Sequence, residues 1–301
     1  MSEEMKDYVV RGVAAGGTIR AFAASTGRLT EEARRRHDTS PVMTAGLGRL
    51  LTAAAMLSIQ MKGEEDKLTL KVTGDGPGKG LIAVADSHGH VKGFALEPGA
   101  IVHSSGNGKL NVGGAIGKGE LTVTKDLGMK EPYSGTCSLQ TGEIAEDLTY
   151  YFSKSEQTPS SVALGVLMNK ENTVRCAGGF MIQLMPNVSD ETAERLENII
   201  LSLPPITSML EEGEKPEEIL EDILGSLDFE VLEKQEVSFF CGCSKEKVET
   251  AVASIGKYDL LDLMLSQETV EAHCDYCNTS YHFNRQEMKE IFKKYYNKDK
   301  T

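Results

Sequence analysis

Four cysteines near the C-terminus are the residues whose type and spacing could do chemistry. Cys241 and Cys243 are separated by one residue in "CGC", and Cys274 and Cys277 by two residues in "CDYC". Packing rarely requires paired cysteines, because a buried free cysteine behaves as a small hydrophobic residue. The pairs therefore belong to separate disulfides, bind one metal ion together, or change their redox state.

A tetrahedral metal site is the first interpretation of the two pairs. Four thiolates suit Zn²⁺, and a two-residue spacer lets backbone amides turn toward the sulfurs. His273 and His282 are possible substitute ligands, but four cysteines already complete the shell. The sequence therefore predicts one structural zinc site. Catalysis at the zinc is disfavoured because no coordination position stays open.

A purely structural zinc site leaves the C-x-C pair unexplained. A disulfide between Cys241 and Cys243 would close a small, strained ring, so it would be labile and have a more oxidising potential. Reversible oxidation of the thiols is thus a second interpretation of the cluster. Cys137 and Cys176 lie alone in apolar, strand-like segments, where we expect unreactive core thiols.

Composition and charge limit the classes of partner. The chain has 301 residues and a net charge of −13, which argues against a broad phosphate-binding surface and hence against nucleic acid. The longest apolar run, residues 50–61, is shorter than the ~18 residues expected of a membrane span. The first residues lack the pattern of a secretory signal. We therefore expect a cytoplasmic protein without membrane or nucleic-acid partners.

Residues 1–185 alternate strand and helix patterns and are expected to form one α/β core domain with a mixed sheet and packed helices. "DYVVRGVA" and "TIRAFAAS" predict strands joined by a Gly-Gly turn. Thr30 is the expected N-cap of a helix, and Ser40-Pro41 the start of the next one. No nucleophile motif accompanies the histidines of this region, so an enzyme is not expected.

Two Gly-Lys loops, residues 74–80 and 113–119, invite a phosphate-binding interpretation. Neither fits G-x-x-x-x-G-K-[ST], because Thr73 and Val112 stand where the first glycine is needed and a glycine follows each lysine. Both loops are predicted to be hairpin turns instead.

Residues 186–236 are predicted to form a metastable helical linker. Helix starts are expected at Ser189 and near Pro216. Apolar residues recur at helical spacing among many acidic ones, and such narrow stripes give marginal helices unless they dock on another surface. The apolar residues of these stripes include Leu196, Ile199, Ile200, Ile219, Ile223 and Leu224.

Residues 237–301 fit a small metal-organised domain. Ser244 is the expected cap of one helix, Gly256 its end, and Asn284 the cap of a final helix. Segments 269–273 and 280–284 have the pattern of two hairpin arms around the second cysteine pair. A domain with so few large apolar groups depends on bound zinc for much of its stability. The whole chain is thus predicted to be α+β.

With these residues in hand, the sequence resembles the redox-regulated heat-shock holdase family, known as the 33 kDa chaperonin family. The resemblance rests on "CGC" and "CDYC" with their spacing, on "RRRHDTSPVMTAGLGRLLTAAAML" (34–57) and on "AGGFMIQLMP" (177–186). It spans nearly the full chain.

The resemblance implies an ATP-independent holdase, not an enzyme, that protects unfolding client proteins from aggregation. It implies one Zn²⁺ per reduced chain, bound by the four cysteines. On oxidation it implies the disulfides Cys241–Cys243 and Cys274–Cys277, loss of the metal, and a homodimer. It also implies that the apolar linker residues become exposed, and these residues are the candidate switch surface: Leu196, Ile199, Ile200, Ile219, Ile223 and Leu224. A zinc-organised adaptor without redox switching is the alternative, and it would keep its metal under oxidant.

Overall fold

The chain forms two compact units, residues 1–240 and 241–301. The computed structural model describes residues 6–104, 106 and 109–296. The boundary falls immediately before the first cysteine pair, so all four clustered cysteines belong to the second unit. The predicted subdivision of the preceding residues into a core and a linker stays a prediction.

The first unit alternates strands and helices. In chain order its elements are β1 (Tyr8–Ala14), β2 (Ile19–Ser25), α1 (Gly27–His37), α2 (Pro41–Ser58), β3 (Lys67–Gly74), β4 (Gly80–Asp86), β5 (His90–Ala95), α3 (Val112–Ile116), β6 (Gly119–Asp126), β7 (Tyr133–Ser138), α4 (Ala145–Ser155), β8 (Ser160–Met168), β9 (Val174–Leu184), α5 (Asp190–Ser202), α6 (Ile206–Glu212), α7 (Pro216–Leu224), β10 (Glu230–Glu236) and β11 (Ser238–Phe239).

The strands of the first unit form two sheets. One is antiparallel, with strand order β10-β1-β2-β9-β8. The other has the order β11-β5-β4-β3-β6-β7, and β11 runs parallel to β5 while the remaining pairs are antiparallel. The α+β class and the mixed sheet expected from the sequence are therefore confirmed.

Helix α2 packs against strands of both sheets and forms the centre of the main core. It begins as predicted, because the Ser40 hydroxyl accepts a hydrogen bond from the Met43 amide and Pro41 occupies the first helical position. Its small residues are required by close packing. A Cβ on Gly48 would lie 2.5 Å from Thr30 Cγ2, too close for any larger side chain without a shift.

A second apolar cluster covers the opposite face of the antiparallel sheet. The helices α5, α6 and α7 pack there, as predicted for helices that need a docking surface. Ile19, Ala21 and Ala23 of β2 supply the sheet side of this cluster, because alternate residues of a strand face opposite sides. Ser189 caps α5 by accepting a hydrogen bond from the Thr192 amide, and Pro216 begins α7.

The second unit is a small α+β module. Its elements are α8 (Lys245–Ala253), α9 (Lys257–Ser266), β12 (Thr269–Cys274), β13 (Thr279–Asn284) and α10 (Arg285–Tyr296), with β12 and β13 forming an antiparallel hairpin. Ser244 accepts a hydrogen bond from the Lys247 amide and Asn284 from the Glu287 amide, so both predicted caps are confirmed. Gly256 instead precedes α9, since α8 has already ended at Ala253.

Three sequence predictions for the first unit were wrong. The region predicted as a helical linker also contains strand β10, whose charged residues hide the strand pattern. Residues 112–116 form the short helix α3, so the second Gly-Lys loop is not a hairpin turn. Helix α1 begins at Gly27, and Thr30 lies buried within it rather than at its N-cap.

The start of α1 is capped by a residue far away in the sequence. The buried carboxylate of Asp7, just before β1, accepts a hydrogen bond of 2.6 Å from the Leu29 amide. Thr26, which directly precedes the helix, makes no cap bond, because its hydroxyl pairs with that of Thr52 at 2.6 Å. Burial raises the pKa of Asp7 to about 6, against the lowering effect of the Leu29 and Arg28 amides.

The pKa of Asp7 predicts a pH-dependent stability difference. The folded-state value lies above the ordinary value of 3.8, so folding takes up a proton as pH falls through about 6. Between pH 7.5 and 5.5 the free energy of unfolding should rise by about 1 kcal/mol more in wild type than in Asp7→Asn, which keeps an acceptor oxygen. Urea denaturation of both proteins at both pH values measures this difference. An equal pH response in the two proteins would contradict it.

Candidate metal centre

The four clustered cysteines lie on two short segments of the second unit. Cys241 and Cys243 precede α8, Cys274 ends β12, and Cys277 lies in the turn to β13. The Asn278 amide donates to the carbonyl oxygen of Cys274 at 2.9 Å, and Asn278 has a positive φ of 56°. This tight turn folds Cys277 back toward Cys274, as a two-residue spacer allows.

The geometry of the sulfur atoms matches a tetrahedral metal site. All four Sγ atoms lie within 4.8 Å of one another. Cys241 Sγ is 3.8 Å from Cys274 Sγ, and Cys243 Sγ is 3.3 Å from Cys277 Sγ. Four sulfurs at ~2.3 Å from one zinc ion would be about 3.8 Å apart. The cluster can therefore hold a metal ion, and its all-sulfur donor set suits zinc.

All four cysteines are free thiols, and their surroundings favour the ionised form of one of them. Burial opposes ionisation of Cys243, but hydrogen bonds from Tyr281 and from the other three cysteines lower its pKa to about 7. Burial instead raises the pKa of Cys274. The Cys277 thiol lies 3.2 Å from the Thr279 hydroxyl. Thiolates are the form that binds metal, so the hydrogen bond to Cys243 prepares the cluster for it.

The structure brings together the predicted ligands and leaves the alternative ligands outside. His273 is exposed and bonds with the Ser280 hydroxyl at 3.3 Å, and His282 is also exposed. Tyr281 is the contributor that sequence reasoning missed, with its hydroxyl 3.1 Å from Cys243 Sγ. The sequence could have indicated Tyr281, because it lies in the predicted hairpin arm beside the second cysteine pair and faces the side opposite to the neighbouring His282.

Removing the Tyr281 hydroxyl should weaken metal binding. Tyr281→Phe takes away the donor to Cys243 while keeping the ring in the apolar cluster of the second unit. Loss of such an outer partner typically lowers metal affinity by about 10- to 100-fold. Competition with a chromophoric zinc chelator at pH 7 measures the change. Tyr258→Phe, at a ring that is 83% exposed, is the control and should bind as wild type does.

The remaining two cysteines lie in the first unit and are poorly suited to reaction. Cys137 is on β7, and Cys176 is on β9 with its sulfur 3.9 Å from the Thr207 carbonyl oxygen. Burial raises the pKa of both thiols, with nearby acidic side chains adding to the effect. Less thiolate at neutral pH means slower oxidation.

The candidate switch residues of the predicted linker share one apolar cluster on the antiparallel sheet. Ile219, Ile223 and Leu224 on α7 are fully buried there. Leu196 on α5 is buried, while Ile199 and Ile200 are partly buried against the same cluster. The three α7 side chains therefore lie against the sheet, as their helical spacing predicts.

Across the described parts of the chain, no helix combines the length and apolarity needed to cross a membrane.

Comparison with known proteins identifies the family. A family model described as Hsp33 protein matches residues 7–284. The 33 kDa chaperonins of Lachnoclostridium phytofermentans and Agathobacter rectalis are 52% and 50% identical to the chain over 95% of its length, covering 98% and 100% of their own.

A solved structure agrees with this assignment. The crystal structure of the 33 kDa chaperonin (heat shock protein 33 homolog) from Thermotoga maritima matches with a TM-score of 0.88 and 34% identity. The match covers 96% of this chain and 98% of that one. The family model, the relatives and this structure agree over nearly the full length, and the chain therefore belongs to the Hsp33 family of molecular chaperones, the 33 kDa chaperonins.

Proposed function

We propose that this chaperone is an ATP-independent holdase that oxidation of Cys241, Cys243, Cys274 and Cys277 switches on. The observation that carries the proposal is the convergence of four free thiols from two segments of the second unit, within 4.8 Å of one another. In the reduced state these thiols bind one Zn²⁺. Bound zinc supplies folding free energy to the module, since a metal site preformed only in the folded state stabilises that state.

The oxidation step converts each cysteine pair to a disulfide. Two thiols and one molecule of peroxide give one disulfide and two waters, so each pair loses two electrons and two protons to the oxidant. We propose the pairs Cys241–Cys243 and Cys274–Cys277, which join the nearest cysteines in the sequence. Disulfide sulfurs have lost their thiolate charge and no longer bind the metal. The module then loses the stabilisation that metal binding gave.

The signal passes to the first unit through the polypeptide itself. Phe240 is covalently bonded to Cys241 and follows β11, which pairs with the edge of β5. Residues 186–236 are the proposed metastable linker between the core, residues 1–185, and the switch domain, residues 237–301. When the linker leaves the antiparallel sheet, the apolar residues of α5 and α7 and the sheet face beneath them become available to clients.

Chaperone function requires exposed apolar surface without self-aggregation. The net charge of −13 supplies repulsion between chains in the activated state. We propose that the activated form is a homodimer and that its clients are unfolding proteins recognised by their exposed apolar segments. A cytoplasmic location, where thiols are kept reduced at rest, suits the switch. Neither catalysis nor nucleic-acid binding is part of the proposal.

A zinc-organised adaptor without redox switching is the competing function. The closed, all-cysteine shell favours it, because such shells commonly have only a structural role. The two proposals differ in what oxidant does to the metal and to client binding.

The deciding experiment follows zinc and client protection in one sample of the full chain. Reduced protein is treated with hydrogen peroxide at elevated temperature, and zinc release and suppression of client aggregation are recorded together. The switch predicts loss of about one zinc per chain as protection appears, and reversal by dithiothreitol. Retained zinc with unchanged client aggregation would support the adaptor instead.

A further inference from the structure

A cavity of about 510 Å³ lies in the first unit where the C-terminal end of α2 meets strands of both sheets. Its walls include Arg20 from β2, Lys62 from the turn after α2, Phe152 from α4, and Met185 and Pro186 just after β9. Its volume lies within the roughly 300–1,000 Å³ typical of small-molecule sites. Pro186 is also the first residue of the proposed linker.

Arg20 carries a positive charge into this cavity, and among the described residues no carboxylate is hydrogen-bonded to it. Its guanidinium donates to Gln60 Oε1 at 2.8 Å and to Met185 Sδ at 3.2 Å, and both acceptors are uncharged. Burial lowers the pKa of Arg20, and the nearby charge of Arg11 lowers it further. A half-buried guanidinium in such surroundings gains strongly from an anion, because charge-assisted hydrogen bonds are the strong ones.

Glu156 acts on Arg20 only through its charge, which raises the pKa of the guanidinium against the effect of burial, and its own hydrogen bonds go to other side chains. Glu156 is engaged with Lys125 at 2.6 Å and accepts from the Tyr151 hydroxyl at 3.3 Å. Asp66 accepts from the backbone amides of Lys62 and Gly63. The lining thus carries three cations against two carboxylates, a surplus of one positive charge in a chain whose net charge is −13.

The rest of the lining is apolar and selects the kind of anion. Leu57, Leu68 and Phe152 are buried side chains on its wall, and Met61 and Met185 add flexible thioethers. A surplus of one charge matches a monoanion, and the apolar walls disfavour a strongly hydrated anion such as phosphate. We propose that this cavity binds a small monocarboxylate with an apolar tail, its carboxylate at Arg20 and Lys62 and its tail against Phe152.

This ligand would act on the start of the linker, an effect that rests on the proposed function. Met185 and Pro186 form part of the site, so an occupied cavity ties the end of β9 to the core. A ligand that binds only this arrangement stabilises it relative to the opened form. At a free ligand concentration of ten times Kd, the population of the opened form falls about tenfold. The chaperone would then respond to oxidant more slowly when such carboxylates are abundant.

Calorimetric titration of the reduced, zinc-loaded full chain tests the site without oxidant or client. Sodium octanoate is the probe, octylammonium the charge control and inorganic phosphate the anion control. We expect saturable binding of one octanoate per chain and at least about tenfold weaker binding of both controls. Equal binding of octanoate and octylammonium, or binding of phosphate as tight as octanoate, would overturn the proposal.

Two variants locate the binding. Arg20→Gln and Lys62→Glu should each weaken octanoate binding at least about tenfold. Lys62 is exposed, so Lys62→Glu tests the site even where Arg20→Gln impairs folding. Lys170→Glu, at an exposed lysine outside the lining, should bind as wild type does. Unchanged affinity in Lys62→Glu would place octanoate elsewhere and refute the site.

The effect on activation is a separate measurement. Octanoate at ten times its Kd should lengthen the half-time of peroxide activation in wild type and leave Lys62→Glu unaffected. Binding without this delay would contradict the proposed effect of the ligand on linker release, while the binding site itself would remain supported. Failure of the redox switch itself would show as absent activation in both proteins, with binding unchanged.

Discussion

Replacing Cys277 with serine is expected to abolish the reduced state of the switch and leave a chaperone that is active without oxidant. Cys277 is the only buried thiol among the four clustered cysteines of the described chain, with 4% of its surface exposed. A serine hydroxyl replaces a thiolate poorly in an all-sulfur zinc site, so zinc affinity should fall at least about 100-fold. Without zinc, residues 241–301 should lose cooperative folding.

Three readouts on one preparation test this expectation. They are zinc content, circular dichroism, and suppression of client aggregation under reductant. Cys176→Ser is the matched control, since it removes a half-buried thiol outside the cluster. The control should keep zinc and still require peroxide. A Cys277→Ser protein that keeps a full complement of zinc, or that loses zinc and still stays inactive, would contradict the proposed coupling.

Truncating Ile223 to alanine is expected to release the proposed linker without touching a cysteine. Ile223 is fully buried in the cluster between α7 and the antiparallel sheet. Removal of its side chain leaves a cavity and should cost about 2–5 kcal/mol of stability. Local opening of residues 186–227 should then become populated, because marginal helices depend on their docked apolar face.

Hydrogen exchange and client protection measure the outcome. Amides of α7 should exchange about 30-fold faster or more, which corresponds to about 2 kcal/mol, and protection of clients should appear in reductant. Leu201→Ala is the control on α5, because that side chain is 77% exposed and its truncation should change stability by less than about 0.5 kcal/mol. Faster exchange without client protection would show that the linker is not the client-binding switch.

The cysteine cluster was predictable from the sequence because its information is local. The spacing within each cysteine pair determines that both sulfurs can face one ion, and the hairpin arms beside Cys274 and Cys277 predicted how the second pair would be presented. The apolar stripe of α7 was equally predictable, since helical periodicity alone places Ile219 and Ile223 on one face of the helix.

The features that sequence reasoning missed depend on long-range partners. β10 has exposed charged residues and joins the sheet only by pairing with β1. The cap of α1 comes from Asp7, two strands earlier, and no local pattern marks that contact. Tyr281 contacts Cys243 because the tertiary fold brings the hairpin next to the first cysteine pair. Local propensity cannot reveal such pairings, because tertiary structure selects them.

The joint between β11 and β5 has a mechanical consequence. Strand β11 consists only of Ser238 and Phe239. The Ser238 amide donates a hydrogen bond to the Gly89 carbonyl oxygen and the Phe240 amide to that of Val91, each at 3.0 Å. Any tension from residues 241–301 reaches the first unit through Phe240. A joint this short has only a few hydrogen bonds to resist such tension, fewer than a longer ladder would have. The chain therefore has a short joint ahead of its core, and tension along the backbone at Phe240 would load β11 before any other strand of the first unit.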